Sequence, residues 1–376
     1  MKEVFVVADN VVSPVGKTSA ENFTRLKNGI SGIQQHNNNI ADHPVYASLF
    51  NDETFPLAEP ANTCTKFERL VIASVEDALS LTGIDVKDNK TVLILSSAKG
   101  NISLLESEDF NDDLKERISL SHSAKIIADH FKFANKPLIV SHACISGVLA
   151  LTTALRLLRS GLYENAIVTG ADIITKFIFS GFESFQAISN EPCKPFDADR
   201  KGITLGEAAG TMILSANKEY SKTGIKLSGG SVNNDANHIS GPSRTGQELY
   251  NAIDMALKEA DTTAADIDFI SAHGTATMYN DEMEAKAFDL AGMNETPVNS
   301  LKSYYGHTLG AAGIIESVMS VHSLNENIIL PTLGFSKHGV SKKLHICSAL
   351  EKGTYTSFLK TASGFGGCNA AVVFRK

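Results

Sequence analysis

"LIVSHACISGVLAL", residues 138–151, joins two kinds of pattern at a single cysteine. Leu138, Ile139 and Val140 read as a buried strand. From Ser146 to Ser160 the apolar residues recur at helical spacing. Cys144 therefore lies in a strand-to-helix turn. Amides at a helix N-terminus and the helix dipole favour negative charge at such a place. The expectation is a lowered thiol pKa and a reactive thiolate, a strong nucleophile towards thioesters. The competing reading is a small buried thiol, because free cysteine is among the most buried residue types.

The same alternation runs outward in both directions. Strand-like runs at 4–7, 91–95, 138–141 and 166–169 occupy the first half of the chain, and runs at 224–227, 269–272, 298–301 and 370–374 the second. Helical spacing marks 20–28, 65–82, 121–133, 148–160, 247–260, 281–291 and 311–324. This predicts layered α/β architecture. Two internal echoes point to a duplicated unit. "VLILSSAKG" (92–100) matches "DFISAHGTAT" (268–277), and "LIVSHACISG" matches "LKTASGFGGCNAAVV". The boundary is expected near 217, giving halves 1–217 and 218–376. No Pro/Ser-rich linker separates them, so they should pack closely. The asparagine run at 37–39 and the stretch 234–246 read as loops.

The 376 residues exceed what one simple core accommodates. An apolar fraction of 43% and a charged fraction of 20% are ordinary for a soluble globular protein. A net charge of −8 gives no global electrostatic case for nucleic acid or anionic membrane. The first residues read as a strand rather than a signal peptide, and no apolar run reaches the length of about 18 residues that a membrane span needs. Five scattered cysteines without a CxxC pair suggest neither a disulfide framework nor a zinc site. A cytoplasmic location is the expectation.

Four further stretches carry chemistry or shape. "ISAHGTATMYND" (270–281) takes His273 off a strand end into a turn of small hydroxyl residues, where α/β proteins keep their sites. In "NSLKSYYGHTLGAAG" (299–313), Lys302 and His307 precede a helix start of small residues that permits close backbone approach. The glycine turn of "TASGFGGCNAAVVF" (361–374) precedes a strand, which suits an oxyanion better than a nucleotide phosphate. "KPFDADRKGITLGEAAG" (194–210) lacks the spacing of a calcium loop and reads as a structural turn held by an Arg–carboxylate pair. Each stretch has a bland alternative. One cysteine, two histidines and a lysine, each at a strand end beside glycine, make a stronger set together.

Taken jointly, these residues resemble the β-ketoacyl-acyl carrier protein synthases of the elongating Cys–His–His type, over nearly the whole chain. "VVSPVGKTSAENFTRLKNGISGI", "HACISG", "DADRKGITLGEAAG", "DANHISGP", "HGTATMYND", "KSYYGHTLGAAG" and "GFGGCNA" match the family's motifs in order. The resemblance implies a thiolase-like fold of two similar halves in αβαβα layers, and usually a homodimer. It implies that Cys144 accepts an acyl group from an acyl carrier protein thioester, with the backbone N–H groups of Cys144 and Phe365 as its oxyanion hole. His273 and His307 would bind the malonyl thioester carbonyl and stabilise the enolate left by decarboxylation. Lys302 would support His307. Thr275 and Thr277 would bind the carrier's 4'-phosphopantetheine arm. Phe365 would gate the acyl pocket, Phe182 would wall it, and Glu316 and Asp281 would stand behind. No bound cofactor is implied.

Some positions depart from the family pattern. Lys201 replaces an Asp, Cys368 a Thr, Ser363 an aromatic, and Ile145-Ser146 a smaller pair. Lys99 falls where the family lines its dimer-side acyl pocket. These leave acyl length and pathway open. The carrier partner should be acidic, which suggests a basic patch near the pocket mouth with Lys66 and Arg69 as members. A structural subunit of a heteromeric condensing complex and a cysteine hydrolase remain alternatives. A biosynthetic thiolase would need a second catalytic cysteine, and Cys368 reads as structural instead.

Overall fold

The computed structural model describes residues 2–37, 40–51, 64–236 and 240–376. Part of the asparagine run (38–39) and part of "DANHISGP" (237–239) lie outside the described residues. Ten strands form the main sheet. Five come from the first half of the chain: Phe5–Val12, Thr91–Ser96, Leu138–Val140, Asn165–Asp172 and Ala208–Ser215. Five come from the second: Lys226–Asn234, Phe269–Ser271, Val298–Asn299, Ser357–Gly364 and Cys368–Arg375. Numbered by chain order within each half, both sets lie in the spatial order 3-2-4-5-1. The senses also agree: the second strand is parallel to the third and fourth, and the fifth is antiparallel to the first and fourth. The two first strands meet through a single ladder pair, Phe5 with Lys226.

This order supports one internal echo and corrects the other. Residues 92–100 and 268–277 do begin in equivalent second strands. "LIVSHACISG" begins with the third strand of its half, whereas "LKTASGFGG" ends the fourth strand of the other, so those two are not equivalent. Two strands of the main sheet escaped the pattern reading. Ala208–Ser215 is buried throughout, so it shows no polar alternation. Ser357–Gly364 carries a lysine in its middle, which reads as surface yet is fully buried.

Two helices fill the space between the half-sheets. Ser146–Arg159 packs on strands of both halves, and Ala312–Glu326 does the same. Ala312–Glu326 is apolar or small on nearly every side, as a helix covered all round must be. The two cross at glycines. A Cβ on Gly147 would lie 2.8 Å from Ile314 N, and one on Gly313 2.5 Å from Val148 N. Lys66–Ser80 covers the outer face of the first half, under a capping box of Thr65 with Glu68, and Gln247–Glu259 covers the outer face of the second. The result is five layers, αβαβα. No helix among the described residues is long and apolar enough to cross a membrane.

Candidate active site

Cys144, His273 and His307 open onto one cavity of about 490 Å³. Each stands on a turn that its neighbours force. Ala143, immediately before the cysteine, has φ 46°. Ala276 (φ 61°) lies in the loop after His273, and Leu309 (φ 51°) follows His307. Left-handed non-glycine residues cost energy and concentrate where geometry is imposed by function. The cysteine turn is tied by Ser146, whose hydroxyl accepts from His142 N (2.7 Å) and donates to Ala143 O (2.7 Å). Gly364 lies flush against this turn: a Cβ there would be 3.0 Å from Cys144 N. That contact explains the first glycine of the turn and brings the Phe365 segment beside the cysteine amide.

The His273 loop is held by two buried carboxylates. Glu284 accepts from His273 N (2.8 Å), Gly274 N (2.6 Å), Thr361 Oγ1 (2.9 Å) and Asn280 Nδ2 (2.9 Å). Asp281 accepts from Thr275 N (3.0 Å) and Phe196 N (2.7 Å), with Arg200 Nε 3.8 Å away. Burial pushes the Asp281 carboxyl up to about 7. The Arg–carboxylate pair expected within 194–210 thus exists, but its acid is Asp281. Asp197 instead accepts from the amides of Asp199, Ser336 and Lys337. Thr275 and Thr277, hydrogen-bonded to one another at 2.9 Å, line the cavity.

His307 follows the short helix Lys302–Tyr305 and is locked by its backbone, donating to Thr204 O (2.6 Å). Its ring meets that of His273 edge-on, with centroids 5.2 Å apart. Its Nδ1 is buried and has no partner among the described residues. Burial, reinforced by the Lys302 and Lys360 ammonium groups, holds both imidazoles well below the usual histidine range. Both are therefore neutral N–H donors at neutral pH. Lys302, fully buried, pairs with Glu316 Oε1 at 2.7 Å. Phe182 lies 6.5 Å from the His307 ring and 5.6 Å from that of Phe365. Phe185, missed in the sequence, adds a third ring 5.2 Å from Phe365.

The structure corrects two expectations. Burial, with the neighbouring Cys368 thiol, pushes Cys144 up to about 12, although Lys302 acts the other way. Desolvation outweighs the nearby ammonium groups, which favours the thiol over the expected thiolate. Lys66 and Arg69 are not at the mouth of this cavity. Lys66 pairs with the buried Glu207 (2.7 Å) beside Glu106 and Thr175, and the Nε of Arg69 is buried. The cations that line the Cys144 cavity are Arg200 and Lys201. Lys99, expected at a dimer-side pocket, is not part of this cavity's lining. Its amide donates to Asp172 (2.9 Å) and its ammonium lies 5.6 Å from the Phe177 ring centroid. Cys368 lines the cavity, 3.4 Å from Phe365 O and 3.9 Å from His142 O.

Three buried ionisable groups had no sequence signal of their own. Glu284 and Lys360 look like surface residues of a helix and a strand. Asp172 accepts from Ser97 Oγ and the amides of Ala98, Lys99 and Gly310, and so pins two loops together. Only the burial of their elements reveals them.

Comparison with known proteins places the chain in a family. The chain matches the model of the beta-ketoacyl synthase N-terminal domain over residues 1–219 and that of the C-terminal domain over 225–336. The 3-oxoacyl-[acyl-carrier-protein] synthase 2 of Rhizobium meliloti is 28% identical, over 100% of this chain and 99% of that protein. The ishigamide ketosynthase/chain length factor has a TM-score of 0.90 at 23% identity, covering 100% of this chain and 99% of its own. A ketosynthase of Xenorhabdus doucetiae in complex with its chain length factor gives 0.83 at 24% identity, over 100% and 98%. The fold is thiolase-like, and with its cysteine, two histidines and glycine turn on one cavity the chain belongs to the beta-ketoacyl synthase family.

Proposed function

We propose that the chain is an acyltransferase that lengthens an acyl chain by decarboxylative Claisen condensation, with acyl carrier protein as donor of both partners. One observation carries the reading: Cys144, His273 and His307 share one cavity, with the Lys302–Glu316 pair sealed behind them.

In the first half-reaction the carbonyl carbon of an acyl thioester is attacked by the sulfur of Cys144. The C–S bond to the phosphopantetheine sulfur breaks, and that sulfur leaves with the cysteine proton. Burial favours the thiol, so the sulfur gives up its proton as it attacks. The backbone amides of Cys144 and Phe365 hold the tetrahedral oxyanion. In the second half-reaction a malonyl thioester occupies the site, its arm held by Thr275 and Thr277. The C–C bond to its carboxylate breaks, carbon dioxide leaves, and the electron pair becomes an enolate whose oxygen accepts from His273 and His307. The enolate carbon then attacks the acyl-Cys144 carbonyl and expels the cysteine sulfur as a thiolate, which takes up one proton from solvent to restore the thiol. The carboxylate is itself the leaving group, so this chemistry calls for no resident cofactor.

The chain would work as a dimer, with a second copy or with a synthase-like partner. The edge strand Leu138–Val140 supports this: it ends the main sheet with Ile139 exposed, and Phe177 and Phe110 are exposed as well. The purified chain, supplied with acyl and malonyl carrier proteins, should release the ketoacyl product. Release of free acid without malonyl thioester would identify a hydrolase instead. Turnover only after a second synthase-like chain is added would identify a subunit of a heteromeric enzyme.

A further inference from the structure

Behind the two imidazoles lies a charged group that the proposed reaction has not used. Lys360 sits in the strand Ser357–Gly364, directly beside Ser271 in the parallel ladder. Strand alternation sends Phe358, Lys360 and Ala362 towards the central helices and Leu359 and Thr361 outward. Phe358 and Ala362 accordingly join the central core, while Leu359 joins the outer core of the second half. Lys360 therefore projects into the layer that holds Glu316. Its side chain is wholly buried, and burying an ammonium without partners would be prohibitive.

Its partners are specific. Nζ lies 2.5 Å from Glu316 Oε2, an ion contact on the oxygen that Lys302 leaves free. It also donates to Ser271 O and Ala272 O at 3.1 Å each. These are the last two carbonyls before His273. Two lysines thus share one glutamate in a sealed pocket, so these three side chains together carry one net positive charge, with the Glu284 carboxylate on the far side of the His273 amide.

We propose that Lys360 is a positioning residue that keeps His273 and His307 as neutral N–H donors, so that they hold the enolate without handing it a proton. The inference rests on the condensing reading above. An imidazolium would bind the enolate oxygen more strongly, but it is acidic enough to transfer its proton. The carbanion would then be quenched to an acetyl thioester, and the decarboxylation would be wasted. A neutral imidazole N–H donates without transferring. The surplus charge disfavours a second cation nearby, and the lysine's two carbonyl contacts fix where His273 leaves its strand. Other ionisable groups face the same place. Glu284 binds the His273 and Gly274 amides, Asp281 sits against Arg200, and Cys144 lies across the cavity. Burial and Lys302 act on both rings in the same direction as Lys360.

The test compares wild type, Lys360→Met and the double variant Lys360→Met/Glu316→Gln. In each, ketoacyl product and acetyl thioester are quantified from acyl and malonyl carrier proteins across the pH range in which histidine titrates. Lys360→Met removes the surplus charge, and the double variant restores it through Lys302 alone. The acid limb of condensation should rise by about one pH unit or more in Lys360→Met, the order of effect of removing one nearby charge from a desolvated site. The acetyl fraction at mildly acidic pH should rise several-fold with it. Both should return towards wild type in the double variant, a rescue that a purely structural role would not give. An unmoved limb and product ratio in Lys360→Met, or a double variant no better than the single, overturns the proposal. Should Lys360→Met not fold, Lys360→Gln takes its place, because it can still donate to the Ser271 and Ala272 carbonyls and loses only the charge: a raised acid limb supports the proposal, and an unmoved one overturns it. Ketoacyl production by wild type keeps the condensing reading intact whatever Lys360 does, so the two failures are distinguishable.

Discussion

Replacing Glu284 by glutamine tests how the His273 loop is held. The change keeps shape and removes charge. In the native carboxylate, Oε1 accepts from His273 N and Thr361 Oγ1, and Oε2 accepts from Gly274 N and Asn280 Nδ2. A glutamine puts an NH₂ group at one of those positions. The Thr361 hydroxyl can turn and the Asn280 amide can flip, but the two backbone N–H groups cannot. One of them is left buried against another donor. An unsatisfied buried donor costs about 1–3 kcal/mol, and weakening the remaining charge-assisted bonds adds roughly 1 kcal/mol. About 3 kcal/mol is therefore expected. At about 2.1 cal/mol/K per residue, the 376 residues give an unfolding entropy near 0.8 kcal/mol per degree, so Tm should fall by about 4 °C. The functional loss should be larger and one-sided. Displacing a substrate-orienting group by about 1 Å costs about 100-fold in rate, so condensation should fall by that order. Transfer of the acyl group to Cys144, which does not use His273, should stay within tenfold. Calorimetry gives the first quantity and mass spectrometry of the two half-reactions the others. A Glu284→Gln enzyme with wild-type Tm and condensation rate would refute the reasoning, as would equal loss in both half-reactions.

Other predictions follow from the same geometry. Because burial pushes the Cys144 thiol up to about 12, its alkylation by iodoacetamide should rise about tenfold per pH unit through the neutral to mildly alkaline range. A plateau near neutrality would mean that the helix amides win after all. Asp281 is held near 7 against an ordinary 3.8, so the folded state binds the extra proton between those values and loses stability as pH rises through them. The advantage of wild type over Asp281→Asn in urea unfolding should therefore shrink across that interval; a constant difference would remove the assigned cause. Gly313→Ala gains about 1 kcal/mol of helix propensity but places a Cβ 2.5 Å from Val148 N, and it should lose about 2 kcal/mol net. A more stable Gly313→Ala would show that the central helices do not meet there.

Much of this was legible because the site residues sit at strand ends beside small residues. Cys144, His273, Lys302 and His307 each combine a reactive group with a turn that only certain residues tolerate. That combination survives in one dimension. What the chain hides is burial without alternation. Ala208–Ser215 is covered on both faces, so its strand has no period to detect. Lys360 and Glu284 sit in elements whose other residues give no hint that a charge faces inward. The protonation of Cys144 was misjudged for a related reason. The helix terminus is visible in sequence, but the desolvation that opposes it depends on Cys368 and the cavity wall closing round the thiol. Lys66 and Arg69 do not line the cavity because their helix packs on the outer face of the first half-sheet.

The central claim is that Cys144 carries the acyl group and discharges it by condensation. The direct measurement is intact mass followed by peptide mapping, first with acyl carrier protein thioesters of several chain lengths and then with malonyl carrier protein. The account predicts one acyl adduct per chain, mapped to Cys144 and lost as an elongated ketoacyl thioester when the malonyl partner is added. An adduct on Cys368, or an acyl-Cys144 that malonyl carrier protein leaves in place or that water releases as free acid, would contradict it.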